Sequence, residues 1–203
     1  MPPKSKFTKE QIVSAALALV REKGAEALTA RELGKQLGSS ARPIFTVFQG
    51  MEEVHAEVRK AAHKKFEQFV HGDMTEERNF KQIGENMLQF ALEEPRLYQM
   101  VFMYESCEKR TFEKMMREWA PGMKLCVEQL RKEFGLEYKE AEVFFETVWI
   151  HTFGIGALYA TGMCSFSREK LNEMIMRNFQ GQLLLARSGK ILEPEKFTQK
   201  TEQ

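Results

Sequence analysis

The sequence predicts an all-α fold. Apolar side chains recur at the three-to-four-residue spacing of helices along most of the chain, and no segment of any length alternates as a strand does. Glycine, proline and serine or threonine residues mark where successive helices begin and end. With 203 residues, the chain is long enough for a small helical domain and a second, larger one.

The first predicted helix begins after Thr8 and ends at Gly24. Thr8 and Gln11 have the spacing of a capping box, and Phe7 precedes them as a staple residue. An apolar stripe at helical spacing follows, and the glycine ends the helix. The stripe consists of Ile12, Ala15, Ala16, Leu19 and Val20.

A second, short helix is predicted between Thr29 and Gly38. Thr29 and Glu32 form another capping-box pattern, so the threonine is expected to cap the first turn. Leucines at roughly helical spacing follow, and Gly38 can take the left-handed conformation that ends a helix.

A third helix is predicted to begin near Ala41, with Ser40 as its cap. Pro43 then lies in the first turn, where a missing N–H costs little, and Gly50 ends the helix. Two short helices joined by a tight turn form a helix-turn-helix, which places its second helix in the major groove of DNA. The segment therefore predicts DNA binding.

The charge distribution agrees with this prediction. Residues 1–50 carry eight basic and four acidic side chains, a formal charge of +4, whereas the whole chain carries only +1. A basic N-terminal segment followed by a nearly neutral body is the charge distribution expected of a protein whose N-terminal domain contacts DNA phosphates.

Several classes of protein and site are not expected. No run of 18 apolar residues predicts a membrane span, and no signal peptide opens the chain, so a cytoplasmic protein is expected. Cys107, Cys126 and Cys164 are few and widely spaced, as in a protein with reduced thiols. His151 has no other ligand at metal-binding spacing, so neither a metal nor a cofactor is predicted. No nucleophile–base pair indicates an enzyme.

The pattern beyond residue 54 is helical throughout. Together with the helix-turn-helix pattern, it predicts a DNA-binding domain over residues 1–50, a larger helical domain over 51–190, and a polar tail over 191–203. The body helices are expected over residues 51–71, 80–93, 95–102, 109–134 with a break near Pro121-Gly122, 137–163 and 167–188.

Residues 28–54 resemble the TetR/AcrR family of transcriptional regulators. The resemblance rests on Leu-Thr-x-Arg-x-Leu-x-x-x-Leu-Gly at residues 28–38, on Ile44-Phe45-x-x-Phe48 and on Glu52-Glu53-Val54. It covers about residues 8–55. It implies an all-helical homodimer in which residues 51–190 form the effector-binding and dimerisation domain. Such a homodimer binds a double-stranded DNA operator and a small-molecule effector. Most members of the family are repressors that the effector releases from DNA.

The resemblance also implies a set of DNA contacts. Where the family often has tyrosine, histidine and lysine, this chain has Phe45, Val47 and Met51, which puts two phosphate contacts in doubt. An arginine that makes two hydrogen bonds to guanine would be the most specific base contact. The predicted contact residues are Thr29, Arg31, Lys35, Ser39, Ser40, Arg42, Pro43, Phe45 and Thr46.

The body supplies the predicted dimer interface and effector pocket. The last two helices are expected to form the interface, because residues 143–166 are apolar around most of their circumference. Methionine and aromatic side chains favour a mainly apolar pocket for a hydrophobic or aromatic molecule. The predicted pocket residues are Met87, Phe90, Phe102, Tyr104, Met115, Met116, Trp119, Phe145, Trp149, His151 and Phe153.

Two alternative functions stay open. In the first, thiol oxidation controls DNA release, with Lys109 and Arg110 beside Cys107 as the feature that would activate a thiol. In the second, the protein is a helical small-molecule carrier whose headpiece does not function.

Overall fold

The computed structural model describes residues 6–72, 80–104, 111–120 and 122–192, and these ranges contain helices and turns but no strand. The α-helices are α1 Lys9–Lys23, α2 Ala30–Gln36, α3 Met51–His71, α4 Phe80–Glu93, α5 Pro95–Phe102, α6 Phe112–Trp119, α7 Met123–Phe134, α8 Tyr138–Ala160 and α9 Arg168–Arg187. Two short 3-10 turns, Ala25–Ala27 and Ile44–Thr46, complete the headpiece. The predicted all-α fold is confirmed.

The predicted body helices agree closely with the observed ones. The expected bounds of α3, α4 and α5 are confirmed, and the single pattern over 109–134 is divided into α6 and α7 at the predicted break. Pro121 and residues 193–203 lie outside the described residues. Helix α8 ends at Ala160, before the predicted end at residue 163, because Gly162 turns the chain at φ +71°.

The headpiece packs α1, α2 and the Ile44–Thr46 turn around a small apolar core. Thr8 caps α1 in a complete capping box with Gln11, and Gly24 at φ +89° ends the helix, as the sequence predicts. The fully buried side chains of this core are Ile12, Ala16, Leu19, Val20, Leu28, Leu33, Ile44 and Phe48.

Helix α3 belongs to both parts of the molecule. Its first turns bury Val54 and Val58 in contact with α1, while its later turns bury Phe66 and Val70 in contact with α4 and α5. One continuous helix therefore carries the contacts to both the headpiece and the body.

Helix α8 is the centre of the body, where it packs against α4, α5, α7 and α9. Gly156 allows a close approach of α5: a Cβ there would lie 2.7 Å from the Tyr98 hydroxyl, which donates a hydrogen bond to the Phe153 carbonyl at 3.0 Å. Within the described ranges, α8 alone is long and apolar enough to cross a membrane, which is weak evidence for a span because core helices pass the same test.

Candidate nucleic-acid interface and internal cavities

The cap of α2 forms in part as predicted. The Thr29 hydroxyl accepts a hydrogen bond from the Glu32 N–H at 3.3 Å. The reciprocal half of the predicted capping box is wrong, because the Thr29 N–H donates to the Ala27 carbonyl at 2.8 Å. The Glu32 carboxylate instead binds Lys35 at 2.7 Å and Lys23 at 3.5 Å, and these contacts lower its pKa.

The turn between the two short helices depends on close backbone packing. Gly38 adopts φ +61°, and the Ser39 N–H donates to the Gly34 carbonyl at 2.9 Å. A Cβ at Gly34 would lie 3.0 Å from both the Ala41 nitrogen and the Ser40 carbonyl carbon. Glycine at this position therefore lets the turn fold back against α2.

The second element of the motif differs from its prediction. Instead of an α-helix capped by Ser40, the chain winds as a 3-10 turn over Ile44–Thr46 with no side-chain cap. The N–H groups of Ile44 and Phe45 donate to carbonyls three residues back, at 3.1 and 3.2 Å. Pro43 removes one helical donor, and a segment this short gains too little from α-helical hydrogen bonds, so packing of Ile44 and Phe48 fixes a tighter turn.

Most of the predicted DNA-contact side chains lie on the outer surface of this motif. Thr29, Arg31, Lys35, Ser40, Arg42, Phe45 and Thr46 are exposed, and Ser39 and Pro43 are half-buried. Phe45 is an apolar exception, with 46% of its surface exposed. Ser39 accepts a hydrogen bond from Lys6 at 3.2 Å.

The headpiece cations differ in whether they already have a partner. Lys9 binds Glu57 at 3.5 Å, and Lys35 binds Glu32. Arg31 and Arg42, in contrast, make no ion pair within the described part of the chain. These two exposed guanidinium groups are therefore the cations of this surface that are free to bind phosphate or a base edge.

The family model for bacterial regulatory proteins of the tetR family matches residues 12–58, which span this motif and the first turns of α3. Residues 12–58 therefore match the N-terminal domain of the TetR family of bacterial regulatory proteins. The helix-turn-helix of this domain supports a DNA-binding transcriptional regulator.

Two solved structures have a fold similar to that of this chain. A TetR-family protein from Vibrio parahaemolyticus is 18% identical, with a TM-score of 0.62, and the alignment covers 85% of this chain and 96% of that one. SmeT, the repressor of the Stenotrophomonas maltophilia multidrug efflux pump SmeDEF, is 16% identical, with a TM-score of 0.52 and coverage of 96% and 98%. A search of curated proteins found no match.

The body contains an internal cavity of about 350 Å³ between α4, α8, α9 and the end of α7. We call it the main cavity because it is more enclosed than two wider grooves of about 440 and 570 Å³. Its wall is mostly apolar and aromatic, with Lys81, Glu133 and Thr152 as polar members. Thr152 is buried and donates to the Val148 carbonyl at 2.8 Å, so its oxygen still has a free acceptor position. The lining is Phe80, Lys81, Ile83, Gly84, Met87, Glu133, Phe134, Phe145, Val148, Trp149, Thr152, Ile175, Met176 and Phe179.

Three of the predicted pocket residues, Met87, Phe145 and Trp149, line this main cavity. Tyr104 and Trp119 line a separate open groove of about 440 Å³ beside α3. The Tyr104 ring there lies 4.7 Å from the Arg59 guanidinium.

The other predicted pocket residues line none of the main cavity. Phe90, Phe102, Met116 and Phe153 pack into the body core, and Met115 packs against that core from the surface. His151 on α8 is half-buried and does not line the cavity.

Val148 and Thr152 line the main cavity but were not predicted from the sequence. They share one helical face with Phe145 and Trp149, at spacings of three and four residues, and this spacing identifies the wall supplied by α8. Choosing candidates by residue type omitted Val148 and Thr152. The contribution of α9 has no comparable signal in the sequence, since it depends on how α9 packs against α4 and α8.

A smaller chamber of about 20 Å³ lies where α3, α4, α6, α7 and α8 meet, and it shares Ile83, Met87, Phe145 and Trp149 with the main cavity. Glu67 lines it, and burial raises the pKa of that carboxyl to about 7. Among the described residues, Glu67 Oε1 has no hydrogen-bond partner, and Oε2 lies 3.6 Å from His71 Nε2.

The two cysteines within the described residues lie in the body, apart from the headpiece. Cys126 is buried, and this burial raises the pKa of its thiol to about 12, which opposes a reactive thiolate. Cys164 is exposed. Cys107, with Lys109 and Arg110, lies outside the described residues.

Proposed function

We propose that the protein is a ligand-responsive repressor that binds a palindromic operator as a homodimer in the cytoplasm. A hydrophobic or aromatic small molecule in the body releases it from DNA. The observation that carries this proposal is the combination of an exposed helix-turn-helix surface and an apolar cavity of about 350 Å³, joined by the single helix α3.

The unpaired cations of the headpiece support specific DNA contact. Arg42 precedes the Ile44–Thr46 turn, and Arg31 lies on the exposed side of α2, so both can approach one groove. Arginine bound to the O6 and N7 atoms of guanine discriminates between bases, whereas an arginine on phosphate does not.

The outer faces of the last two helices support a homodimer. Five large apolar side chains on α8, on α9 or just after α8 remain exposed in a single chain: Ile150, Leu158, Met163, Leu184 and Leu185. Covering such side chains with a second copy would bury apolar surface and set the distance between two recognition elements.

Contacts between headpiece and body support a coupled response. The Arg21 side chain on α1 forms an ion pair with Glu94 at the start of α5, with the Arg21 Nε–Glu94 Oε2 distance at 2.8 Å. Arg96 donates a hydrogen bond to the Arg21 carbonyl at 3.2 Å. Movement of α4 and α5 around a ligand would therefore change the position of α1.

DNA recognition is tested by gel shift on the intergenic DNA beside the gene and on random DNA of equal length. Arg42→Ala should weaken operator binding more than random-DNA binding, with Lys124→Ala on the body as the matched loss of one exposed cation. Equal losses on both DNAs would assign Arg42 to phosphate contact alone. Ligand binding without any sequence-specific shift would favour the carrier alternative.

Dimerisation is tested by sedimentation velocity. The double variant Leu184→Glu and Leu185→Glu should convert the dimer into a monomer, because each substitution places a charge in an apolar interface. Leu125→Glu, at an exposed leucine on α7, is the control and should leave the dimer intact. A wild-type monomer, or a dimer that persists in the double variant, would contradict the proposed interface.

A further inference from the structure

The small chamber beside the main cavity contains a carboxylate that its surroundings pair only in part. Glu67 projects from α3 among apolar and aromatic side chains, and its Oε1 atom is buried without a hydrogen-bond partner in the described residues. Of the residues that line the chamber, Glu67, His71 and Cys126 are the titratable ones. A buried carboxylate in such a place costs stability unless something pairs with it.

The size of the chamber limits what can pair with Glu67. A volume of about 20 Å³ accommodates a single water-sized group, which is also the size of an ammonium head. The side chains of Phe66, Phe145, Trp119 and Trp149 complete the wall. Aromatic faces attract cations, so the wall favours a positively charged group over a neutral one of the same size.

The chamber and the main cavity are neighbours. They share the side chains of Ile83, Met87, Phe145 and Trp149 as lining. Met87 is unbranched and flexible, so it can shift to let one ligand extend from the larger space into the smaller one.

We propose that the effector is a cationic amine: its apolar or aromatic body fills the main cavity, and its ammonium group occupies the small chamber against the Glu67 carboxylate. This inference rests on the proposed ligand response and assigns the chemical class of the ligand. The ammonium–carboxylate contact also joins the ligand directly to α3, the helix that continues into the headpiece.

The test uses 4-phenylbutylamine and its neutral counterpart 4-phenyl-1-butanol, which present the same apolar body with and without charge. Both tryptophans of the chain, Trp119 and Trp149, line the chamber. Intrinsic fluorescence therefore reports on occupancy of this region, and calorimetry supplies the dissociation constants. Measurements at pH 8 keep the amine charged and favour the ionised carboxylate.

The amine should bind the wild-type protein at least about tenfold more tightly than the alcohol, because its ammonium group makes a charge-assisted contact with the carboxylate oxygen that has no partner in the described residues. Glu67→Gln should remove this preference while binding of the alcohol persists. The matched control is Glu93→Gln, an exposed carboxylate on α4 outside both cavities, and it should keep the preference. Thermal unfolding of each variant verifies that it is folded.

The possible results separate this inference from the proposed function. Equal binding of amine and alcohol, or a preference that survives in folded Glu67→Gln, would overturn the amine assignment while leaving an apolar effector in place. Binding of neither compound would also overturn it, whereas the gel shift on operator DNA independently decides whether the protein is a DNA-binding regulator.

Discussion

The headpiece and the body differ in how completely the core is filled and in how many buried polar atoms have hydrogen-bond partners. In the headpiece, fully buried apolar side chains fill the core, and no buried side-chain polar atom in residues 6–58 lacks a partner. The body contains cavities and buried polar atoms without hydrogen bonds, among them Glu67 Oε1, His151 Nε2 and Asn178 Oδ1. A surface that must fit one DNA shape needs a rigid support, whereas a region that accepts a ligand needs space and unpaired groups.

The largest expected effect tests whether the body is well packed around its cavity. Phe144 is fully buried and its ring contacts those of Phe80, Phe134 and Phe179. Phe144→Ala should reduce the free energy of unfolding by about 3–5 kcal/mol in urea titrations. Phe45→Ala, at an exposed ring in the headpiece, should change it by less than about 0.5 kcal/mol. A small loss at Phe144 would mean that the aromatic cluster is loosely packed.

A second pair of substitutions compares the space around one glycine in the headpiece with that around one in the body. Gly34→Ala should reduce the free energy of unfolding by about 1–2 kcal/mol and weaken operator binding, because the new Cβ meets backbone 3.0 Å away. Gly84→Ala on α4 meets nothing within 4 Å and should stabilise by about 0.5–1 kcal/mol through helix propensity. If thermal unfolding shows the same change in stability for both variants, the two regions do not differ in packing at these glycines.

The third effect concerns the partly paired carboxylate of Glu67 in the body. Since the folded pKa of Glu67 is raised from its usual 4.5 to about 7, the folded state binds more protons than the unfolded state between these values. Stability present below pH 4.5 is therefore lost as pH rises through 7.

Glu67→Gln should remove this loss and make the protein about 1–2 kcal/mol more stable than the wild type at pH 8, less than the full shift implies because some solvent reaches the side chain. Urea unfolding at pH 5 and pH 8 measures the difference. Glu93→Gln should keep the wild-type dependence of the free energy of unfolding on pH. If Glu67→Gln also keeps this dependence, it belongs to other groups, such as the neighbouring His71.

The smallest expected effect on stability lies at the contact between the two regions. Glu94→Ala removes the ion pair with Arg21 and should cost at most about 1 kcal/mol, as partly exposed pairs do. Operator affinity should nevertheless change severalfold, because the pair helps to set the position of α1 on α5. Glu93→Ala, one residue earlier and without a contact to α1, is the control. Identical operator affinity in all three proteins would show that the pair does not position the headpiece.

The sequence by itself determined the fold class, nearly all helix bounds and the place of the DNA-binding motif. These features depend on local signals: Thr8 and Gln11 cap α1, Gly24 ends it, and a proline begins α5. Local signals also placed Arg31 and Arg42 on the exposed surface, because the leucine spacing of α2 and the burial of Ile44 fix which side faces outward.

The tertiary structure alone decided the finer features of both sites. The 3-10 form of the Ile44–Thr46 turn follows from packing against α1 and α2, and the pairing of Lys35 with Glu32 depends on side-chain positions. The cavity wall combines α4, α7, α8 and α9, and Glu67 Oε1 is buried without a partner only where α3 meets the body helices. Such features depend on contacts between residues distant in sequence, which helical periodicity does not specify.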